Sequence, residues 1–297
     1  MRHAHTTAEL VTGDGSFADA LDWIRNADRV LIGAGAGLSA SAGYDYSDTA
    51  QFRKLFPAFA RAGFTARYEL IGNPLPPRHQ WGYWPAHVND IRLGTDPNPV
   101  YQELRAIVGG REHFVMSSNV DALFTRNGFD SGRVYTPQGD YALYQCLTPC
   151  TRQVWDARPI IERALQDYDP ETGQTSQAAI PVCPNCGGEV FLNVYAGAWY
   201  INDHFQPQLA GLNQWIQEGI AAGQTTAIVE IGSGFNTPSV IRWPMERIAA
   251  HLPDARLIRI NRDHPSVPTT LADRAASLDG DAAELIHRIA TTDRTAS

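Results

Sequence analysis

The stretch that decides the fold is Val30-Leu31-Ile32-Gly33-Ala34-Gly35-Ala36-Gly37-Leu38-Ser39-Ala40-Ser41-Ala42-Gly43. It opens, after Arg29, with a short apolar run stopped by glycine, which reads as a buried strand. A turn made almost entirely of glycine, alanine and serine follows. Glycine lets a backbone turn sharply and approach a pyrophosphate closely. The amides at the start of the next helix then face the phosphate oxygens. The same small residues also suit a close strand–helix contact. The spacing is not a Gly-x-Gly-x-x-Gly at the usual register. Nor does an acidic residue end a second strand about twenty residues on, so an ordinary dehydrogenase is disfavoured.

Outward from this turn, similar short runs recur at His113–Ser117, Arg133–Thr136, Thr226–Ile231 and Arg256–Ile260. Each is apolar and β-branched, the pattern of strands buried in a parallel sheet. Helical spacing lies between them. Phe17, Ala20, Leu21 and Ile24 mark a helix over Phe17–Ala27, and Pro99–Val108 opens with proline and stops at Gly109-Gly110. Pro238–His251 and Asp281–Ala290 read the same way. The alternation predicts an α/β fold, a Rossmann-like doubly wound parallel sheet formed by about 17–43, 99–140 and 225–297. Two segments break the rhythm and read as insertions in a single unit. One is a helical or lid segment over 44–98, with a helix predicted at Thr49–Ala62. The other, 141–224, holds all four cysteines. Within it, polar Asp167–Gln177 is predicted to be a mobile loop.

The composition is that of an ordinary globular chain: 297 residues, 43% hydrophobic and 19% charged. The net charge is -8 and no Lys/Arg-rich run occurs. Phosphate binding along a nucleic acid needs a basic face, so no nucleic-acid partner is expected. No apolar run reaches the roughly 18 residues of a membrane span, so no membrane partner is expected either. Met1-Arg2-His3-Ala4-His5-Thr6 lacks the apolar core of a signal peptide, and a cytoplasmic location is the expectation. Thiols stay reduced there, which disfavours disulfides.

The cysteines fall as Cys146-x3-Cys150 and, after 32 intervening residues, Cys183-x2-Cys186. The second pair sits in Cys183-Pro184-Asn185-Cys186-Gly187-Gly188, a zinc knuckle. Its turn lets two thiolates face one ion, and its glycines free the amides that support the sulfurs. Four thiolates close a tetrahedral site and leave no place for substrate. The expected Zn2+ is therefore structural.

The glycine turn and the cysteine quartet, with further segments in the same order, resemble the sirtuin (Sir2) family over residues 30–290. Gly35-Ala36-Gly37-Leu38-Ser39-Ala40-Ser41 is similar to its first NAD-binding motif. Ser118-Asn119-Val120-Asp121 ends a strand where the family carries Gln-Asn-Ile-Asp. Gly232-Ser233-Gly234 resembles its ribose loop, Asn261 its adenosine-side motif, and Gly280-Asp281-Ala282 its adenine-binding turn. The resemblance implies that NAD is bound by Gly35, Ala36, Gly37, Ser39, Ser41, Ser118, Asn119, Asp121, Gln138, Gly232, Ser233, Gly234, Asn236, Asn261, Asp281 and Ala282. It implies catalytic roles for Asn119, Asp121 and Gln138.

Departures from the deacylases narrow the reading. The family's catalytic histidine corresponds to Gln138 in Thr136-Pro137-Gln138-Gly139-Asp140-Tyr141, and Tyr44-Asp45-Tyr46 stands where Ile-Pro-Asp-Phe-Arg is usual. Gln138-Gly139-Asp140-Tyr141, Cys146-x3-Cys150 and Gly234-Phe235-Asn236-Thr237-Pro238 resemble the class M branch. That branch is macrodomain-linked and associated with protein ADP-ribosylation. Its acceptor is a lipoyl-carrier protein related to the glycine-cleavage H protein, and a macrodomain partner is implied beside it. Glutamine can hold a hydroxyl by hydrogen bonds but has no useful basicity. A positioned base contributes roughly 100- to 10,000-fold to a reaction that needs it. The loss of histidine thus argues against deacylation and is compatible with transfer to an ionised side chain. Three alternatives stand beside the transferase: a deacylase with a replacement base, an NAD glycohydrolase, and an NAD sensor without turnover. Asp140 pairs either with an acceptor or with Arg133. Tyr44, Asp45, Tyr46 and Arg53 line a lid or belong to an insertion.

Overall fold

A computed structural model describes residues 9–94 and 97–294. Strands occur in chain order as β1 (Leu10–Val11), β2 (Arg29–Ala34), β3 (Glu112–Ser117), β4 (Val134–Tyr135), β5 (Gly139–Cys146), β6 (Trp155–Asp156), β7 (Val190–Val194), β8 (Thr226–Ile231), β9 (Ala255–Ile260), β10 (Val267–Pro268) and β11 (Ala275–Leu278). The helices are α1 (Phe17–Asn26), α2 (Ala36–Ser41), α3 (Thr49–Leu55), α4 (Pro57–Arg61), α5 (Pro77–Ile91), α6 (Pro99–Val108), α7 (Leu123–Arg126), α8 (Arg158–Gln166), α9 (Gln206–Ala221), α10 (Arg242–His251) and α11 (Ala282–Arg294).

Six strands form one sheet in the order β11-β9-β8-β2-β3-β4, all neighbours parallel. Every residue of β2 and of β8 is buried, as the apolar runs predict. One face packs on α1, α6 and α11 through Leu21, Leu104 and Ile286; the other packs on α9 and α10 through Trp215 and Met245. From β2 the chain builds outward through β3 and β4. From β8 it builds the opposite way through β9 and β11. The switch point therefore lies between β2 and β8, and a crevice opens beyond their carboxyl ends.

The two intervening segments share a second core. β5 is the middle strand of the antiparallel sheet β6-β5-β7. Phe52, Phe56 and Trp84 from the first segment pack with Tyr144, Ile161 and Leu192 from the second. Ring contacts run through it, including Phe56–Tyr83 at 4.8 Å and Trp84–Phe191 at 5.3 Å between centroids.

Several local expectations are corrected. The helix expected over Thr49–Ala62 is two, α3 and α4, because Phe56 (φ -131°, ψ 57°) leaves helical geometry just before Pro57. The helix expected from Pro238 starts at Arg242; Val240 N donates to Thr237 O in a turn instead. The strand expected over Arg133–Thr136 contracts to β4. The helix expected to end at Ala290 continues to Arg294. Asp167–Gln177 is a fastened turn rather than a free loop. Asp169 N donates to Gln174 O at 2.9 Å, Thr175 N to Arg78 O at 3.0 Å, and the buried Thr175 hydroxyl to Ala164 O at 2.9 Å.

Candidate active site at the switch point

The turn after β2 and the loop after β8 meet at the crevice. Gly35 N donates to Ile231 O at 2.9 Å and Gly37 N to Gly232 O at 3.0 Å. A Cβ on Gly35 would lie 2.5 Å from Gly232 O, and one on Gly232 (φ +64°) only 2.4 Å from Leu38 N. The glycines are therefore required by the approach of one loop to the other. Of the turn's amides, those of Gly35 and Gly37 are used in this contact. Ala36, the first residue of α2, has an amide at the position where helices leave donors unpaired, and the residue lines the cleft.

The resulting cavity measures about 370 Å³, within the size range of small-molecule sites. All the residues named from the sequence line it except Ser39, Asn119, Asp121 and Gln138. Phe235, from the stretch that resembles the class M branch, lines it too, and the structure adds Arg262, Asp263 and His264, none of which carried a motif of its own. Asp281 caps α11 by accepting from Ala283 N at 2.9 Å and also accepts the Ser41 hydroxyl at 2.8 Å. This bond ties the glycine-rich turn to the C-terminal helix.

Ser39 and Asp121 lie buried, behind the lining. The Ser39 hydroxyl donates to Asp121 Oδ2 at 2.6 Å, Leu123 N donates to Oδ1 at 2.9 Å, and the Tyr101 hydroxyl stands 3.2 Å from Ser39. Burial pushes the Asp121 carboxyl above its ordinary range, although the Leu123 amide and the Ser39 hydroxyl pull the other way. Asp121 thus accepts from the first amide of the short helix that follows, whose N-cap position is Ala122, and it also belongs to a buried polar group. Asn119 Nδ2 donates to Gly35 O at 2.9 Å, holding that side chain against the glycine-rich turn.

Gln138 is half-buried just before β5, its carbonyl accepting from Tyr195 N at 2.9 Å. Tyr141 N donates to Val120 O at 3.0 Å, so the start of β5 is tied to the Asn119–Asp121 loop. Asp140 pairs with Arg92 through two bonds, at 2.7 and 3.1 Å, while Arg133 pairs with Glu112. Arg133, one of the two partners expected for Asp140, is thus not its partner; Arg92, which the sequence did not suggest, is. Beneath lies a buried group the sequence did not single out. His87 Nε2 stands 3.3 Å from the Tyr141 hydroxyl, and burial, with Arg67 beside it, holds His87 well below the ordinary imidazole range. Burial likewise holds Tyr46 well above the ordinary phenol range. Of the four residues weighed for a lid, Asp45 lines the cleft and Arg53 is exposed.

The four cysteines converge at the far end of β5. Their sulfurs lie within 4.8 Å of one another, with Cys146–Cys186 at 3.7 Å and Cys150–Cys183 at 3.6 Å. A tetrahedron with Zn–S bonds of about 2.3 Å has edges of about 3.8 Å, so the quartet fits zinc. Asn185 Nδ2 lies 3.2 Å from the Cys150 sulfur and supports it. β5 spans Gly139 to Cys146, and a strand rises about 3.3 Å per residue. The cage is therefore on the order of 25 Å along the strand from Gln138.

No family model matches the chain. Two curated proteins resemble it. A "probable bifunctional ADP-ribose hydrolase/ADP-ribosyltransferase" of Fusarium oxysporum f. sp. cubense is 36% identical over 79% of the chain. The chain spans only 40% of that relative's length. A "protein ADP-ribosyltransferase" of Staphylococcus aureus is 27% identical over 92% of the chain and 86% of its own length. Among solved structures, a Sir2 homologue–NAD complex superposes with a TM-score of 0.61 at 19% identity, covering 96% of this chain and 97% of that one. A Sir2 homologue mutant bound to 2'-O-acetyl ADP-ribose gives 0.60 at 19% identity, covering 93% and 96%. The chain has the sirtuin fold, a Rossmann-like parallel sheet carrying a four-cysteine module, and is related to proteins named as ADP-ribosyltransferases.

Proposed function

We propose that the chain is an NAD-dependent protein ADP-ribosyltransferase of sirtuin type, with a structural zinc held by Cys146, Cys150, Cys183 and Cys186. The observation that carries the reading is a cleft at the switch point lined by the glycine-rich turn, together with a neutral amide, Gln138, just before β5, whose Tyr141 N is bonded to Val120 O of the Asn119–Asp121 loop. Both curated relatives bear transferase names, which supports the same reaction class.

In the proposed reaction the bond between nicotinamide and ribose breaks, nicotinamide leaves neutral, and an acceptor side chain bonds to the ribose carbon. Such a transition state needs orientation and a dry electrostatic setting more than a strong acid. Asp121 would accept from the nicotinamide carboxamide, and Asn119 would position the ribose or an attacking water. Gln138 would hold the ribose or the acceptor without taking a proton, which suffices if the acceptor arrives ionised. His264, the one histidine lining the cleft among the described residues, packs edge-on to Phe235 at 5.0 Å and is not assigned as a base. The acceptor we propose is a lipoyl-carrier protein of the glycine-cleavage H type. A macrodomain protein is the proposed partner that removes the mark; the hydrolase half of the fungal relative's name supports such a coupling.

The test is incubation with NAD labelled in its adenine part, with and without carrier proteins, followed by mass spectrometry. Label fixed to the carrier with nicotinamide released is the expected result. O-acyl-ADP-ribose formed from an acylated peptide would mean deacylation, and free ADP-ribose in the carrier's presence would mean a hydrolase. NAD bound without turnover would mean a sensor. Asn119→Ala is expected to abolish nicotinamide release with zinc content unchanged.

A further inference from the structure

Beneath the loops that follow β8 and β9 and line the cleft lies a charge quartet, buried but for the partly exposed Glu246, that the proposed chemistry does not use. Glu230 and Arg259 face each other in register on neighbouring strands and are both fully buried. Arg259 bonds Glu230 Oε1 at 3.0 Å and Oε2 at 2.5 Å, and reaches Glu246 Oε1 at 2.8 Å. Arg242, 1% exposed, stands 3.6 Å from the same Glu246. Replacing such a network by apolar side chains of like volume is often neutral or stabilising, so holding the fold together is a poor reason for it.

The remaining donors explain it better. Arg242 gives its other N–H groups to the carbonyls of Ser233 at 3.4 Å, His264 at 3.0 Å and Ser266 at 2.6 Å, and Arg259 bonds the Ser266 carbonyl too. The Ser233 hydroxyl turns inward and donates to Glu230. Asn261 Nδ2 donates to the same Ser233 carbonyl at 2.8 Å. In a trans peptide the carbonyl and the following N–H point in opposite directions. With the Ser233 carbonyl drawn inward, the amide of Gly234 is aimed out, and Gly234 lines the cleft.

We propose that Glu230 is a positioning residue. Through Arg259, Arg242 and the Ser233 hydroxyl it locks the Ser233–Gly234 peptide with its amide presented to an oxygen of the bound dinucleotide. Ser233 then acts through its backbone rather than its hydroxyl. This rests on the cleft being an NAD site.

The test is calorimetric titration of the protein with NAD, beside steady-state nicotinamide release, for the wild type and three variants. Glu230→Gln is expected to weaken NAD binding about tenfold, the effect of one charge-assisted hydrogen bond, and to raise KM while kcat holds within about twofold. Ser233→Ala is expected to weaken it about threefold, and it carries the test should Glu230→Gln not fold. Val229→Ala, which opens a cavity on the other face of β8, is expected to lower the melting temperature and keep NAD affinity. Affinity that merely follows melting temperature across the variants overturns the assignment, as does unchanged affinity in Ser233→Ala. A wild-type protein that does not bind NAD overturns the cofactor reading itself, and the assignment with it.

Discussion

The parallel sheet and the body built around β5 reach the same degree of burial by different means. The sheet stacks continuous apolar strands between helices, so each strand is covered on both faces by its own neighbours. The second body has short strands and helices from two distant segments, and its core is largely aromatic. Only β5 and its two partners give it a backbone ladder, and the four cysteines close its far end. The difference teaches where each part is vulnerable. The sheet depends on packing, whereas the second body adds to its aromatic packing the cross-link that the proposed zinc would make.

The hardest way to break that contrast is to remove the cross-link. Chelation, or Cys183→Ser, is expected to abolish metal content and unfold the second body. Structural zinc binding contributes on the order of 10 kcal/mol in small domains. Near-UV circular dichroism reports the loss through Trp81, Trp84 and Trp155, which pack in this body. Hydrogen exchange is expected to show β2 and β8 still protected. A metal-free protein of undiminished stability would refute the cross-link.

A next smaller effect comes from the aromatic core. Phe56 is fully buried and contacts Phe52, Phe59 and Tyr83. Phe56→Ala is expected to cost about 3–5 kcal/mol in urea unfolding while NAD affinity is retained. Lost affinity with the sheet intact would show that the two bodies are not energetically separable. Smaller again is Gly232→Ala, at the junction of the two cleft loops. A positive φ costs about 1–3 kcal/mol for a residue other than glycine, and the added Cβ also meets the Leu38 amide. A matching loss of NAD affinity is expected, since the same contact shapes the cleft. Alanine tolerated there in both respects would remove the contact as the reason for the glycine.

The same contrast explains which elements are legible in the sequence. β2, β3, β8 and β9 announce themselves because a strand buried on both faces is an unbroken apolar run. The cysteines announce their cage by spacing alone. α5 carries no such mark: Trp81 to Val88 are all buried, so no polar face sets a period, and Pro77 and Pro85 read as breakers. α9 opens without a side-chain cap, and Gly211 and Gly219 interrupt it, so its boundaries carry no signal. Arg92 as the partner of Asp140 is out of the sequence's reach because 48 positions separate them and nothing local prefers Arg92 to Arg133. In the cleft the motif residues are legible. The buried groups behind them, His87 with Tyr141 and Glu230 with Arg259, are not, because a lone charged or polar residue inside a strand or helix carries no mark of its partner.

Asp121 offers the finest test of how the two bodies meet, since it is buried where the β3 loop is tied to Tyr141 of β5. Its carboxyl is held above the ordinary value of 3.8, mainly by burial. A carboxylate with a raised native pKa binds its proton more tightly folded than unfolded. Stability is therefore greatest below the ordinary carboxylate range and falls as pH rises from 3.8 through the raised native value. Asp121→Asn keeps the shape, can still accept from Leu123 N, and can donate to Ser39, but it does not ionise. The variant is expected to be the more stable protein at neutral pH, with an advantage that shrinks as pH falls toward the ordinary carboxylate range. His87 shifts in the opposite sense and destabilises both proteins equally below its ordinary 6.5, so it cancels in the difference. Urea midpoints of the two proteins at several pH values check this. A constant difference across pH would mean that the Leu123 amide and the Ser39 hydroxyl compensate the burial of Asp121, and that its charge is held at no cost. The same variant is expected to lose nicotinamide release, so that stability and activity move in opposite directions at one residue.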